Sequence, residues 1–423
     1  MLQVSYIREN REKVLERLAV RNFKQPELVD EILALDEQRR SAQTKLENVS
    51  AEANAAAKKI GELMRSGQKE QAEVIKNQTS TWKNESKTLG ESLAALENQQ
   101  QEMLFLLPNL PHSSVPKGTT PEENEVVLEN GEKPNLPENA LPHWELAAKY
   151  NLIDFELGVK ITGAGFPVYK GKGAKLQRAL IAFFLDEAEK AGYDERMLPL
   201  LVNEASGFGT GQLPDKEGQM YFVGDDKLFL IPTAEVPITN LYRDVILREE
   251  ELPVKNTGYT PCFRREAGSY GAHVRGLNRL HQFDKVEIVQ VAHPEKSYEN
   301  LEEMSLHVQS LLQKLELPYR VLRLCGGDMS FTAALTYDME TWSAAQQRWL
   351  EVSSVSNFET FQANRLKLRF RNSEGKNQLA HTLNGSALAL PRIVATLLEN
   401  NQTENGIRIP EVLVPYTKFE LID

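Results

Sequence analysis

The sequence predicts an α+β protein, in which a long antiparallel α-helical coiled coil precedes a larger domain built on a mainly antiparallel β-sheet flanked by helices. Three observations support this prediction: a strict heptad pattern early in the chain, a proline cluster that ends it, and alternating strand-like segments between helical patterns thereafter. Strands with helices packed against them are typical of α+β proteins. With 423 residues, the chain is long enough for two or three domains.

The heptad pattern predicts a helical hairpin. Mainly apolar residues step by threes and fours from Leu28 to Leu63, and Arg39 is the only charged residue at a seam position. A Ser-Gly pair at 66–67 interrupts the pattern, which resumes from Ala72 to Leu107. Two seams of matching length around a short turn fold most simply as an antiparallel pair. The first helix, over 27–65, is expected to be roughly 58 Å long.

The helical hairpin is basic although the protein is acidic. The chain has a formal net charge of −11, whereas ten Lys or Arg and six Glu give residues 38–88 a charge of +4. A basic arm could contact the phosphates of an RNA stem, which is recognised by shape rather than by base edges. The alternative, a solvated coiled-coil surface, is favoured by the residues alone. The basic side chains considered for RNA contact are Arg39, Arg40, Lys45, Lys58, Lys59 and Lys76.

Composition excludes several classes of protein. The net charge argues against coating nucleic acid or an anionic membrane by bulk charge. The two cysteines, Cys262 and Cys325, make neither a disulfide framework nor a CxxC site, which is typical of a reducing compartment and predicts no cysteine-rich zinc site. The start of the chain lacks an apolar signal core, and no apolar run approaches the roughly 20 residues that span a bilayer. We therefore expect a soluble, cytoplasmic protein that does not contact membranes.

Proline defines the expected domain organisation. Seven prolines, at 108, 111, 116, 121, 134, 137 and 142, forbid a long helix and predict a linker or extended cover over 108–145. This segment separates an N-terminal domain at 1–107 from the larger domain at 146–423. Strands of the larger domain are predicted at Lys227–Pro232, Gly258–Phe263, Asp284–Val291, Tyr319–Leu324 and Lys367–Phe370.

The segment 257–291 carries an unusual density of charge for a strand hairpin. Its two strands are joined by a Gly-rich loop, and charges of both signs would line one face. Charges are costly to bury unless they are paired or face a ligand, so the pattern favours a concave site for an ionic substrate. A solvated sheet face is the alternative. The residues concerned are Arg264, Arg265, Glu266, His281, Gln282, Asp284, Lys285 and Glu287.

Three further segments carry candidate site residues. Thr233 and Glu235 would share one face of an extended segment, unless Thr233 caps a helix that follows. Glu351 and Ser354 offer hard oxygen ligands that suit magnesium and a nucleotide. Arg392 lies on a predicted helix, where a lone arginine is usually a surface charge.

Taken together, these segments resemble the seryl-tRNA synthetases of bacterial type, a family of class II aminoacyl-tRNA synthetases. The resemblance covers nearly the whole chain, and the joint order and spacing of its motifs are specific. It implies a class II catalytic domain at 146–423, a homodimer, and a tRNA-binding domain at 1–107 whose arm contacts serine tRNA. The matching segments are IPTAEVPITN (231–240), FRREAGSYG (263–271), HQFDKVEIV (281–289), WLEVSSVSN (349–357) and HTLNGSALALPR (381–392).

The resemblance implies the activity of a serine–tRNA ligase. L-serine and ATP would form seryl-adenylate and diphosphate, and the seryl group would pass to the 3′ end of serine tRNA, with selenocysteine tRNA as a further candidate. Mg²⁺ would accompany ATP. No zinc is expected, because the cysteine-rich pattern of the rarer archaeal type is missing.

The resemblance also implies residue roles. Arg264 would bind the α-phosphate, Arg392 the far phosphates, and Glu266 the adenine amino group or the loop itself; these three form the predicted catalytic set. Pro391 stands where a glycine commonly precedes the arginine. Glu351 and Ser354 would hold Mg²⁺. The full predicted ATP set is Arg264, Arg265, Glu266, Phe283, Glu351, Val352, Ser353, Ser354 and Arg392, with Phe283 stacking on the purine.

The predicted serine pocket uses two carboxylates. Thr233, the Ala234 backbone and Glu235 would take the α-ammonium group, and Glu287 and Ser386 would address the hydroxyl or its surroundings. Arg264 would also contact the serine moiety. A site built to bond a hydroxyl rejects alanine strongly, because its polar groups would otherwise go unpaired.

Overall fold

The computed structural model describes residues 1–136, 138–215, 218–266 and 274–423. The chain divides into two compact units, the first formed by Met1–Ala19 and Phe23–Pro108 and the second by Val20–Asn22 and Asn109–Asp423. Pro137 of the proline-rich segment and residues 267–271 of the FRREAGSYG motif lie outside the described residues.

Helices make up most of the first unit and surround the sheets of the second. In the described part of the chain, none is long and apolar enough to cross a membrane. In chain order they are α1 (Val4–Glu9), α2 (Arg11–Val20), α3 (Leu28–Arg65), α4 (Lys69–Leu106), α5 (His143–Lys149), α6 (Phe155–Ile161), α7 (Gly171–Lys190), α8 (Glu204–Thr210), α9 (Glu235–Asn240), α10 (Ser297–Lys314), α11 (Thr360–Leu366), α12 (Leu390–Asn400) and α13 (Val414–Thr417).

The predicted helical hairpin is confirmed as α3 and α4. The hydroxyls of Ser50 and Ser86 lie 3.5 Å apart, which fixes the antiparallel register. Beyond Asp36, few seam side chains in the shaft are fully buried, among them Ala56 and Ala72, because two helices alone can cover only a narrow stripe. The shaft therefore leaves most of its surface in water.

The strands of the second unit form one large sheet and several small ones. In chain order they are β1 (Glu125–Asn130), β2 (Ile153–Asp154), β3 (Val168–Tyr169), β4 (Asp194–Glu195), β5 (Leu201–Asn203), β6 (Phe222–Val223), β7 (Leu228–Leu230), β8 (Ile246–Arg248), β9 (Val254–Phe263), β10 (Gln282–Ala292), β11 (Tyr319–Arg323), β12 (Leu335–Ser343), β13 (Arg348–Asn357), β14 (Arg369–Arg371), β15 (Asn377–Leu379), β16 (His381–Ala389), β17 (Gln402–Thr403), β18 (Gly406–Arg408) and β19 (Leu421–Ile422).

The large sheet confirms the predicted mainly antiparallel architecture. Its order is β1-β11-β12-β13-β16-β10-β9-β4, and only the edge pair β4–β9 is parallel among these described strands. Helices α7, α10 and α12 pack their apolar sides into a common core with this sheet. The edge strand β1 arises within the segment predicted as a linker or extended cover.

Three long strands were absent from the predicted set: β12, β13 and β16. Serine, threonine and asparagine interrupt the apolar pattern of β13 and β16, and the β12–β13 pairing contains a bulge that breaks the alternation. These strands are recognisable only once their neighbours in the sheet are known, because their polar side chains are buried by non-local partners.

Candidate active site

The β9–β10 hairpin and β16 bring the polar side chains of Lys285, Glu287 and Ser386 onto one sheet face. On β10, Phe283, Lys285 and Glu287 alternate with residues of the opposite face. Glu287 lies opposite Gly258 of β9 and Ser386 of β16. Of the charged residues predicted to line one face, Lys285 and Glu287 do so. Asp284 faces the other side of the sheet, where it accepts hydrogen bonds from Gln177 Nε2 at 2.9 Å and from the Tyr259 hydroxyl at 2.9 Å.

Lys285 and Glu287 form a buried ion pair. The Lys285 Nζ lies 2.6 Å from Glu287 Oε2, with side-chain exposures of only 6% and 1%. Lys285 also donates to Thr233 Oγ1 at 2.9 Å, and Asn384 donates to Glu287 Oε1 at 3.1 Å. Burial raises the pKa of Glu287, although Lys285 opposes that effect. The charges of the pair are therefore matched to each other within a polar, water-poor pocket.

Glu235 supplies a second buried carboxylate. It accepts a hydrogen bond from Gln362 Nε2 at 2.6 Å, and Gln362 in turn accepts one from the Thr382 hydroxyl at 2.7 Å. Burial, followed by repulsion from Glu287, raises the pKa of Glu235 to about 7. A cation entering the pocket would relieve both effects, so the site suits an ammonium group.

The local conformation around Thr233 differs from the extended alternative. The segment turns into α9, which begins at Glu235, and the Thr233 hydroxyl accepts from the Glu235 N–H at 3.2 Å. The helix-start alternative is therefore the better description, although Ala234 rather than Thr233 occupies the N-cap position. Ala234 is fully buried. Thr233 and Glu235 still converge on the pocket, through the turn rather than through strand alternation.

Arg264 lies where β9 ends, next to the buried carboxylates. Its Nε donates to the Pro232 carbonyl at 3.3 Å, and its guanidinium lies 5.3 Å from the centre of the Phe283 ring. Burial raises the pKa of both Glu235 and Glu287, and the Arg264 charge partly opposes that rise, so Arg264 lies close enough to act on both. An arginine fork beside an aromatic face suits a phosphate ester with an attached base.

The two neighbours of Arg264 are placed differently. Arg265 is exposed, and its guanidinium lies 6.0 Å from the Tyr221 ring. Glu266 has a positive φ of 47° and accepts from Arg279 Nη1 at 2.6 Å. This ion pair fits the loop-holding alternative for Glu266.

Arg392 is fixed by two backbone carbonyls. Its Nη1 donates to the Glu351 carbonyl at 2.7 Å and its Nε to the Asn278 carbonyl at 3.1 Å, while the Glu351 carboxylate lies 3.8 Å away. Pro391 falls in the first turn of α12, where proline is well tolerated because no helical N–H is lost. The helix entry is therefore regular at this departure from the family motif.

A bulge brings Glu351 and Ser354 to one face of β13. Residues three apart face opposite sides of a regular strand, but the register shift in the β12–β13 pairing reverses this. Val352 and Ser353 point away from Glu351 and are buried, with the Ser353 hydroxyl bonded to the Ser386 carbonyl at 2.6 Å. Of the predicted Mg²⁺ and ATP set on β13, Glu351 and Ser354 thus share the accessible side.

Asp338 of β12 extends this oxygen-rich face. It pairs across the sheet with Ser354, and burial together with repulsion from Glu351 raises the pKa of Asp338 well above its usual value. Such repulsion is what a divalent cation would relieve. Within the part of the chain that the structure describes, no group of three or more His, Cys, Asp or Glu side chains could by itself hold a metal ion.

Sequence reasoning missed several members of the site. Asn384, Gln362 and Asp338 were not predicted, and Lys285 was seen only as part of a charged face. Asn384 lay within a quoted motif, which was a usable signal. No sequence signal marked Gln362, because α11 reaches the pocket from a distant part of the chain.

Comparison with known proteins agrees with this geometry. Residues 1–111 match the model of the seryl-tRNA synthetase N-terminal domain, and residues 221–401 match that of the class II tRNA synthetase core domain (G, H, P, S and T). The serine–tRNA ligase of Salinibacter ruber is 52% identical over 100% of this chain and 99% of that protein. The serine–tRNA ligase of Akkermansia muciniphila is 48% identical over 98% of this chain and 97% of its own length.

A solved structure is similar over the same length. The crystal structure of seryl-tRNA synthetase from Pyrococcus horikoshii complexed with ATP aligns with a TM-score of 0.92 at 33% identity, covering 100% of this chain and 99% of that chain. The resemblance inferred from five short motifs is thereby confirmed, and the chain belongs to the seryl-tRNA synthetase family.

Proposed function

We propose that the protein activates L-serine with ATP and transfers the seryl group to serine tRNA. The observation that carries this proposal is the buried pocket in which Glu235, Glu287 and Lys285 meet beside Arg264. A pocket with two carboxylates and two cations matches a small zwitterion with an additional hydroxyl.

The pocket chemistry assigns the atoms of serine. The α-ammonium group takes the place between Thr233 and Glu235, where it restores the charge of a carboxylate whose pKa is raised. The hydroxyl is directed toward Glu287, near Ser386. Alanine would not supply the hydroxyl hydrogen bond that the polar groups around Glu287 are placed to make, a penalty on the order of 10⁴-fold in selectivity. Threonine must be excluded by lack of space for its methyl group.

The activation step is an in-line displacement. A serine carboxylate oxygen attacks the α-phosphorus of ATP, the bond to the bridging oxygen of the β-phosphate breaks, and diphosphate leaves with both electrons of that bond. Arg264 stabilises the charge that gathers on the α-phosphoryl oxygens, and Arg392 holds the departing phosphates. Phe283 stacks on the purine. In the second step a ribose hydroxyl of the tRNA terminus attacks the seryl carbonyl and AMP leaves.

Mg²⁺ fits the oxygen-rich face of β12 and β13. Glu351 and Ser354 share one side of the strand, and the repulsion between Glu351 and Asp338 favours a cation there. When bound, the ion would neutralise phosphate charge that repels the attacking carboxylate. Glu351 and Ser354 are the residues proposed to hold it.

The tRNA contact is proposed for the exposed charges of the arm. Lys45, Lys58 and Lys59 are exposed on α3, whereas Arg39 and Arg40 pair with the buried Asp36 at 3.1 and 3.0 Å. Lys76 pairs with Glu73 at 3.1 Å. The first three are thus the most available for phosphate contact. A homodimer, the division at 1–107, 108–145 and 146–423, a cytoplasmic location and charging of selenocysteine tRNA stay predictions.

Amino-acid-dependent exchange of labelled diphosphate into ATP tests the activation step. The purified protein should support exchange with L-serine, and exchange with alanine or threonine should be lower by several orders of magnitude. Folded protein that shows no exchange with any of the twenty amino acids would rule out the proposed activity. Exchange with another amino acid alone would contradict the pocket assignment.

A further inference from the structure

A buried polar pair outside the substrate pocket connects to the ATP side of the site. His143 and Glu399 are both 0% exposed, and Glu399 Oε1 accepts from the His143 backbone N–H at 3.0 Å and from its Nδ1 at 2.7 Å. The other oxygen accepts from the Ser343 hydroxyl. Burial would raise the pKa of Glu399, but the hydrogen bonds from His143 and Ser343 outweigh it and lower that pKa. The carboxylate is therefore a fixed, fully satisfied charge.

The hydrogen bonds define the state of the imidazole. The Leu277 backbone N–H donates to His143 Nε2 at 2.9 Å. Because an amide N–H can only donate, Nε2 carries no proton, and the proton on Nδ1 is donated to Glu399. Gly276 permits this close approach: its φ is +68°, and a Cβ there would lie 2.3 Å from Nε2. Glu399 orients the ring, and the ring fixes the backbone at Leu277.

The residue after Leu277 contacts Arg392 directly. The Asn278 carbonyl accepts from Arg392 Nε at 3.1 Å, and the Asn278 side chain donates to Gln346 Oε1 at 3.0 Å. Gln346 donates in turn to Glu399 Oε1 at 2.9 Å. Arg392 and Glu399 lie on α12, about two turns apart and hence on similar sides of the helix. Two hydrogen-bonded routes therefore run from Glu399 to the carbonyl that holds Arg392.

We propose that His143 and Glu399 are positioning residues for Arg392. They hold the Gly276–Asn278 segment so that the Asn278 carbonyl aims the guanidinium at the far phosphates of ATP. This inference rests on the proposed function of Arg392 toward ATP. Neither residue contacts substrate, and both act through Asn278. The position of Asn278 matters because the Arg392 guanidinium must be aligned to within about 1 Å to keep its contact with the phosphates.

Two substitutions of His143 distinguish the roles of its two ring nitrogens. His143→Asn reaches the Nδ1 position and can donate to Glu399, but it cannot reach Leu277. His143→Gln reaches the Nε2 position and can accept from the Leu277 N–H. We expect His143→Asn to raise KM for ATP in diphosphate exchange on the order of tenfold, with KM for serine changed less than twofold, and His143→Gln to recover most of the loss.

His381 provides the matched control. It is also buried, and its Nδ1 is 2.7 Å from the Ser297 hydroxyl, at the far end of β16 from Lys285 and Glu287. His381→Asn should lower the melting temperature without changing KM for ATP more than twofold. If both Asn variants changed KM for ATP equally, the positioning role of His143 would be overturned.

A double-mutant cycle distinguishes this inference from the proposed role of Arg392. In an Arg392→Ala background, His143→Asn should cause no further change in KM for ATP, because its effect passes through Arg392. Additive effects would overturn the inference alone. An unchanged KM for ATP in Arg392→Ala itself would overturn the proposed role of Arg392 and this inference with it.

If His143→Asn does not fold, Glu399→Gln is a second variant in which KM for ATP tests the same positioning role. The amide retains the shape and the acceptor for the His143 backbone, but its charge is lost. We expect a several-fold rise in KM for ATP with an unchanged KM for serine. An equal rise in both constants would indicate general loosening of the domain and would overturn the positioning role.

Discussion

The protein contains two antiparallel hairpins that use charge in opposite ways. The helical hairpin of α3 and α4 displays its lysines in water, as at Lys58 and Lys59. The strand hairpin of β9 and β10 buries Lys285 at 6% and Glu287 at 1% exposure. Exposed charges are screened by salt and contribute in small, nearly additive amounts, whereas buried charges depend on every partner being in place. The first surface suits a long polyanion, the second one small zwitterion.

The largest effect is expected from removing the arginine at the end of the strand hairpin. Arg264→Ala should lower kcat for diphosphate exchange by about 10²- to 10³-fold, because the α-phosphoryl charge loses an oriented donor. Arg265→Ala, at an exposed neighbouring position, should change kcat only a few-fold. Single-turnover measurements of adenylate formation would check both. Equal losses of kcat in the two variants would contradict the different roles of Arg264, next to the buried carboxylates, and of the exposed Arg265.

Breaking the buried ion pair should have the next largest effect. Glu287→Ala leaves Lys285 buried without its carboxylate, and breaking such a buried pair typically lowers the free energy of unfolding by about 3–5 kcal/mol. The same substitution should lower kcat/KM for serine on the order of 10²-fold or more. KM for ATP should stay within a few-fold. Glu287→Gln keeps the shape and separates the loss of charge from the loss of volume. A variant impaired toward ATP but not serine would overturn the assignment.

The helical hairpin should be dispensable for activation but not for charging of tRNA. Ser50 and Ser86 face each other, so a short Gly-Ser linker can replace the shaft between them. Diphosphate exchange should stay within twofold, while kcat/KM for aminoacylation falls on the order of 10²-fold, because several phosphate contacts are lost together. Undiminished aminoacylation would show that the arm does not contact the tRNA.

The smallest expected effect concerns pH and Glu235. Serine binding needs the carboxylate, which is the form present above the raised pKa of about 7. Serine affinity should therefore approach its full value above about pH 8 and fall as pH decreases through 7, by about tenfold between pH 8 and pH 6. Calorimetric titration with serine at several pH values would check this, with ATP binding as the control. A serine affinity that rises toward low pH would contradict the assigned charge.

The sequence was most informative where structure is local. The heptad spacing predicted a helix over 27–65, and α3 runs from Leu28 to Arg65, because an i to i+4 pattern is completed within one element. The motif arginines were likewise found from short segments. The strands β13 and β16 were not predicted, because their polar faces are buried only by strands that are far away in the chain.

The sequence by itself determined the length of the arm and the place of its turn, its basic charge, and the identity of the family through five ordered motifs. Only the tertiary structure decided which charges meet. The pairing of Lys285 with Thr233, the approach of Gln362 to Glu235, the bulge that turns Glu351 and Ser354 to one side, and the connection from His143 to Arg392 all depend on contacts between segments that are distant in the chain. Register is set by contacts between distant segments, and the burial that shifts pKa values exists only after those segments have packed.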